Sequence, residues 1–246
     1  MNLRLPMLGL LLAVVLPFAA CTHASGKPAP GPEVPRPDSV LDPVVLYSQN
    51  CAGCHGADGR DGPAMDLSDP VYLAIVDDDT LRSTISKGRP GTAMSAFAQK
   101  EGGMLTDEQV NAIVRGIRER WSKPNVLTGV GAPSYAAKEQ GDAQQGEAAY
   151  ATFCASCHGT GEKAGPKAGS VTNSAYLSLI SDQGLRTLVI VGRPDFGAPD
   201  WRGNAPGQPM TDQQISDVVA WLVSQRPTKS ATQALSATPP STGGIQ

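Results

Sequence analysis

Two segments of this 246-residue chain are near copies: "CAGCHGADGRDGP" at 51–63 and "CASCHGTGEKAGP" at 154–166. Each has two cysteines three apart, a histidine directly after the second, and a Gly-Pro pair further on. The match continues downstream. "YLAIVDDDTLRSTISKGRP" (72–90) aligns with "YLSLISDQGLRTLVIVGRP" (176–194), and "LTDEQVNAIVRGI" aligns with "MTDQQISDVVAWL". The cysteine segments are displaced by 103 residues and the next block by 104, so one residue is inserted between the two blocks. A sustained displacement marks a duplicated unit, and whatever fold one copy takes the other takes too. The expected boundaries are 42–120 and 142–226, with a linker at 121–141 punctuated by Pro and Gly.

Each copy reads as helical. Asp42 is placed to cap a first helix, with Pro43 in its first turn, and Asp142 occupies the equivalent place in the second copy. Thr106-x-x-Gln109 and Thr211-x-x-Gln214 have the form of capping boxes. Apolar residues follow at helical spacing: Val110, Ile113, Val114 and Ile117, then Ile215, Val218, Val219 and Leu222. Gly88 and Gly192 suit the left-handed residue that ends a helix. No alternating strand pattern occurs, so the expected class is all-α, twice over. Only 5% of residues are aromatic, too few for side chains alone to fill two small cores well.

Cys51, Cys54 and His55 stand at i, i+3 and i+4, which share one helix face; Cys154, Cys157 and His158 do the same. Two thiols on such a face suit addition to the two vinyl groups of a haem while the imidazole meets the iron, and Cys-x-x-Cys-His is the attachment signature of c-type haem. A redox dithiol would call for a βαβ context that is not apparent. A pooled zinc site would need both halves in one cluster, and a histidine abutting its cysteine constrains that geometry badly. Two motifs in matching surroundings point to two covalently bound haem c groups. They would also supply the apolar bulk that the composition lacks.

On these residues, both copies resemble class I c-type cytochromes over nearly the whole stretch expected to fold. The resemblance implies two tandem cytochrome c domains, each a small helical bundle around its haem, built for electron transfer rather than catalysis. It implies crossed first and last helices and a proline carbonyl, from Pro63 or Pro166, accepting a hydrogen bond from the proximal histidine. The crossing joins a glycine to an aromatic: Gly146 and Trp221 match, whereas the first copy has Pro43 and Gly116 there. A loop carrying an axial methionine is also implied. Met94 falls at that place in "GRPGTAMSAFAQKEGGMLTDEQ", while Met104 lies too near the last helix and Met65 lies on the proximal side. In the second copy Ala198 aligns with Met94. Met210, aligned with Leu105, is then the remaining candidate ligand for the second iron; the alternative is an open sixth position. Arg89 and Arg193 recur and suit either haem propionates or exposed helix ends. Phe97 and Trp201 are expected to pack at the haem edge or its loop.

The chain's ends bear on location. Arg4, the apolar run Leu8 to Leu16, and Ala19-Ala20 before Cys21 read as an export signal over 1–20, too short to span a bilayer. Phe18-Ala19-Ala20-Cys21 resembles a bacterial lipobox, which implies lipidation of Cys21; ordinary cleavage leaving a free thiol is the other reading. Pro28, Pro30, Pro32, Pro35 and Pro37 make 21–41 an extended tether, and 227–246 has a disorder-prone composition. A net charge of −3 gives no support to a nucleic-acid partner. The expectation is an exported dihaem cytochrome c, lipid-anchored at the periplasmic face of a bacterial membrane. It would pass electrons between redox protein partners, such as respiratory or photosynthetic complexes. Rival readings are a haem enzyme or small-ligand sensor at an open second iron, and a haem subunit of a periplasmic dehydrogenase.

Overall fold

The computed structural model describes residues 34–227. The export signal expected over 1–20, Cys21, most of the tether and all of the tail beyond Pro227 lie outside the described residues. Contacts divide the chain between Ser39 and Val40. Before that division, Pro37–Ser39 form one 3-10 turn, closed by the Ser39 hydroxyl donating to the Arg36 carbonyl at 2.8 Å. From Val40 onward both repeats belong to a single unit.

In the first repeat α1 (Pro43–Asn50) starts on Asp42, whose carboxylate accepts from the Val44 N–H at 2.8 Å. Pro43 loses nothing there, since a first-turn N–H has no helical partner. The turn α2 (Ala52–His55) carries the motif. It is followed by α3 (Pro70–Ile75), α4 (Asp78–Lys87) and α5 (Asp107–Trp121), capped by Asp69, Asp77 and Thr106. The second repeat follows the same order with α6 (Ala143–Phe153), α7 (Ala155–His158), α8 (Ser174–Leu179), α9 (Asp182–Val191) and α10 (Asp212–Ser224). Both capping boxes form in full. Among the described residues no strand occurs, only two isolated bridges, and the fold is all-α.

Helices α4 and α9 end at Gly88 and Gly192, with φ of 67° and 69°. The chain doubles back there so closely that a Cβ on Gly88 would lie 2.5 Å from the Met94 oxygen, and one on Gly192 would lie 2.2 Å from the Pro199 oxygen. Only glycine combines that dihedral with that approach. The apolar stripes bury Val110, Ile113, Val114 and Ile117 on α5, and Ile215, Val218 and Leu222 on α10. Helix α5 packs on α1 and α4, α10 packs on α6 and α9, and α9 meets α3 to join the repeats.

The departure at the helix crossing has a simple basis: the small residue has changed sides. In the second repeat Gly146 on α6 lies under α10, where a Cβ would come within 2.0 Å of the Asp217 oxygen. In the first repeat Gly116 on α5 makes room for Pro43, and a Cβ on it would lie 2.4 Å from the proline Cβ. The aromatic moves accordingly. Trp221 lies over Tyr150 with ring centroids 4.4 Å apart, while Trp121, five residues beyond Gly116, meets Tyr47 edge-on at 5.1 Å.

The linker is a clasp. The Arg186 side chain is only 3% exposed and donates to the carbonyls of Ser134 and Tyr135, to Ser216 Oγ and, at 2.5 Å, to Asp212. Its first-repeat counterpart, Arg82, sits half-exposed on Asp79 and Asn111. From the same linker segment the Tyr135 hydroxyl accepts from Arg89 at 2.7 Å, and its ring lies 6.5 Å from that of Tyr72. Residues 134–135 therefore hold both repeats. Two arginines at unrelated positions serve one purpose elsewhere. Arg118 on α5 donates to the Leu73 and Val76 carbonyls and to Asp78, while Arg226, beyond the end of α10, donates to those of Leu177 and Ile180 and to Asp182. Each ties the α3–α4 corner, or its α8–α9 equivalent, to the last helix.

Overpacking a close crossing costs about 1–3 kcal/mol, so Gly116→Ala and Gly146→Ala should each lower the unfolding free energy of the holoprotein by that amount in urea titrations. Unchanged midpoints would contradict the crossing. Arg186→Ala removes the partner of a half-exposed carboxylate and four further bonds, and should cost about 2–3 kcal/mol. It should also open the linker to trypsin at Lys123 and Lys138; an uncut linker would contradict the clasp.

Candidate haem-binding sites

Each motif turn follows directly from the first helix. Cys51 and Cys154 cap α1 and α6, their N–H groups donating at 2.8 Å to the carbonyls of Tyr47 and Tyr150. Those tyrosines do a second task. Their hydroxyls donate to the carbonyls of Gly56 and Gly159, directly after the histidines, at 2.9 and 2.8 Å. Both ends of the motif turn are thus tied to one tyrosine. A tyrosine four residues before each motif was the signal available in the sequence for this brace.

The histidine rings are held from behind. His55 Nδ1 lies 2.7 Å from the Met65 oxygen, and His158 Nδ1 lies 2.7 Å from the Gly169 oxygen. The acceptors are therefore not Pro63 and Pro166, as the family resemblance implied. The reason is the path of the loop. The carbonyls of Cys54 and Cys157 accept bonds from residues just past each proline: Ala64 in the first repeat, and Lys167 and Ala168 in the second. This anchors the prolines beside the motif turn and leaves a later carbonyl to reach the ring. The one-residue insertion falls within this loop, and Met65 and Gly169 are related by the downstream displacement of 104. Gly62 and Gly165 permit the approach, since a Cβ on either would lie 2.3 Å from the Cys54 or Cys157 oxygen. The next residue then locks the carbonyl. Asp66 accepts from the Ser68 N–H at 2.8 Å, and Ser170 accepts from the Thr172 N–H at 3.2 Å. Such turns fix the backbone through the side chain.

A carbonyl only accepts, so Nδ1 carries the proton and Nε2 is left with its lone pair, as an iron ligand requires. Burial, with repulsion from Arg89, holds His55 below the usual imidazole value; the Met65 hydrogen bond acts in the opposite direction. Burial pushes the Cys51 thiol up to about 11 and the Cys154 thiol up to about 12, each with a smaller contribution from the other motif cysteine. All four motif cysteines are unpaired, and Cys54 is the most open of them. Two free thiols and an oriented imidazole on one turn, repeated, fit a covalently attached haem. Among the described residues no other cluster of metal-ligating side chains occurs.

On the opposite side of each site the loops diverge. The Met94 carbonyl accepts from the Arg89 N–H at 2.9 Å, and the Ala198 carbonyl accepts from the Arg193 N–H at 3.0 Å. The structure thus places Ala198 at the Met94 position. Met94 is half-buried, whereas Met104 is 79% exposed. Met210 lies in the core at 2% exposure. Its N–H donates to the Trp201 carbonyl as that of Leu105 donates to the Phe97 carbonyl, and its sulfur accepts from Asn204 at 3.7 Å. The recurring arginines do not match each other. Arg89 is engaged by Tyr135, while Arg193 forks onto Asp195 and stacks on the exposed Phe196. Trp201 is buried and Phe97 is half-buried. Hydrogen bonding to Asp195 raises the Arg193 pKa, with smaller contributions from Asp66 and Asp61 of the first repeat.

The chain matches the family described as cytochrome c oxidase, cbb3-type, subunit III, over residues 38–115 and 141–222. It is 30% identical over 189 residues to the cbb3-type cytochrome c oxidase subunit CcoP of Rubrivivax gelatinosus, covering 76% of this chain and 55% of that protein. With the subunit of the same name from Azospirillum sp. (strain B510) it shares 28% identity over 124 residues, 46% of this chain and 37% of that one. With cytochrome c-555 of Chlorobaculum tepidum it shares 35% over 88 residues, 34% of this chain and 77% of that one. The chain spans about half or less of the length of the CcoP relatives. With both repeats inside the matched segments, it belongs to the cbb3-type cytochrome c oxidase subunit III family of c-type cytochromes, proteins that bind haem c covalently.

Proposed function

We propose that this chain is a dihaem electron carrier, exported by residues 1–20 and anchored through lipidated Cys21 at the periplasmic face of a bacterial membrane. In this reading 21–41 is a tether, 42–120 and 142–226 are two cytochrome c domains, 121–141 joins them, and 227–246 is a tail. Cys51 and Cys54 would hold one haem covalently through thioethers, and Cys154 and Cys157 would hold a second. His55 and His158 would offer Nε2 to the two irons, and Met94 would offer its sulfur to the first. A bound haem supplies a one-electron couple between Fe(II) and Fe(III). The residues around it hold the ligands in place in both states, which keeps reorganisation small.

The observation that carries this reading is the duplicated motif turn with its histidine fixed at the same 2.7 Å distance in each repeat. One compact unit containing both sites, with the clasp at 134–135, supports electron passage within the chain. The likeness to subunits of cbb3-type oxidases supports a redox protein complex as partner.

Potentiometric titration of the holoprotein tests the proposal. Two reversible one-electron transitions are expected; a single one would overturn it. A methionine sulfur raises the potential of a haem relative to more basic ligands. Met94→Ala should therefore lower one midpoint potential, leave the other in place, and abolish the methionine-to-iron charge-transfer band. An unaltered band would exclude Met94 as a ligand.

A further inference from the structure

We infer that the second site, if it holds a haem as proposed above, leaves the sixth iron position to an exogenous neutral diatomic ligand, with carbon monoxide and nitric oxide as the chemical class. Ala198 rather than Met210 defines that position.

Three observations converge. First, the backbone bonds put Ala198 where the first repeat has Met94, and an alanine side chain has no donor atom. Secondly, Met210 has a different structural role. It fills the core place of Leu105, 2% exposed against 5%, with the same backbone bond to the aromatic of its loop. Reaching an iron from there would vacate a buried position at the foot of α10. Thirdly, residues 192–226 contain no histidine, lysine, cysteine or tyrosine, so no other strong donor is offered from this loop.

The same loop argues for a neutral ligand. Its two arginines are both neutralised locally, Arg193 on Asp195 and Arg202 on Asp200, with contacts of 2.7 and 2.5 Å. Their guanidinium groups also lie over Phe196 and Trp201. No free cation is left on the loop to stabilise a bound anion, while Ala198, Pro199 and Trp201 offer apolar surroundings. Binding here forms one dative bond to ferrous iron and moves no electron or proton.

The test adds carbon monoxide to the dithionite-reduced full-length holoprotein, after its haems have been counted in alkaline pyridine. The Soret difference spectrum should saturate with half of the haem in the carbonyl form. Ala198→Met should abolish that uptake and add a second methionine-to-iron band in the oxidised protein. Met210→Leu, which installs the residue type found at Leu105, should leave uptake at half. No uptake by the wild type, uptake unchanged in Ala198→Met, or uptake gained only in Met210→Leu would each overturn the inference. A haem count below two per chain would overturn the dihaem reading as well, which separates the two failures.

Discussion

Each repeat is organised around one contact, the 2.7 Å approach of a histidine Nδ1 to a backbone carbonyl. It fixes the tautomer and the ring plane together, and so decides where the ligating nitrogen points. The rest of the proximal half serves it. Glycines 62 and 165 let the loop close on the motif turn, and the Asp66 and Ser170 turns hold the carbonyl. Tyr47 and Tyr150 brace the turn from the first helix. The helices beyond supply a rigid frame, because the caps at Thr106 and Thr211 and the ties from Arg118 and Arg226 fix the last helix to the α3–α4 corner and its counterpart.

Much of this frame is legible in the amino-acid order. The duplication, the capping boxes and the helix-ending glycines are local signals, and each appears as read. What escapes is long-range. Which carbonyl meets the histidine depends on how the loop packs against Cys54 and Cys157, and the Gly-Pro pair does not reveal it. At the helix crossing, a pattern that requires glycine on the first helix fails in the first copy because either partner in such a contact serves as the small one. Arg118 and Arg226 fall outside the repeat register, so self-comparison misses them. The clasp at 134–135 lay hidden in a stretch read as a plain linker, since only the fold brings Arg186 and Arg89 to it.

The two sites share a proximal design and differ on the distal side. The first presents a half-buried methionine sulfur at the place where the second presents an alanine methyl. The repeats meet where α9 packs on α3 and where residues 134–135 engage Arg89 of the first repeat and Arg186 of the second. In the proposed reading, the first centre takes Met94 as its sixth ligand and the second receives none from the chain. Divergence after duplication reached the frame as well as the distal loop, since the helix crossing and the partners of Arg82 and Arg186 also differ between the repeats.

The central claim is covalent attachment at both motif turns with the histidine left free to bind metal. Peptide mass mapping of the exported protein tests it most directly. Separate fragments containing Cys51–His55 and Cys154–His158 should each carry the mass of one haem and retain it through acid-acetone extraction. Either fragment recovered with unmodified thiols from fully matured protein, or pigment released into the solvent, would contradict it.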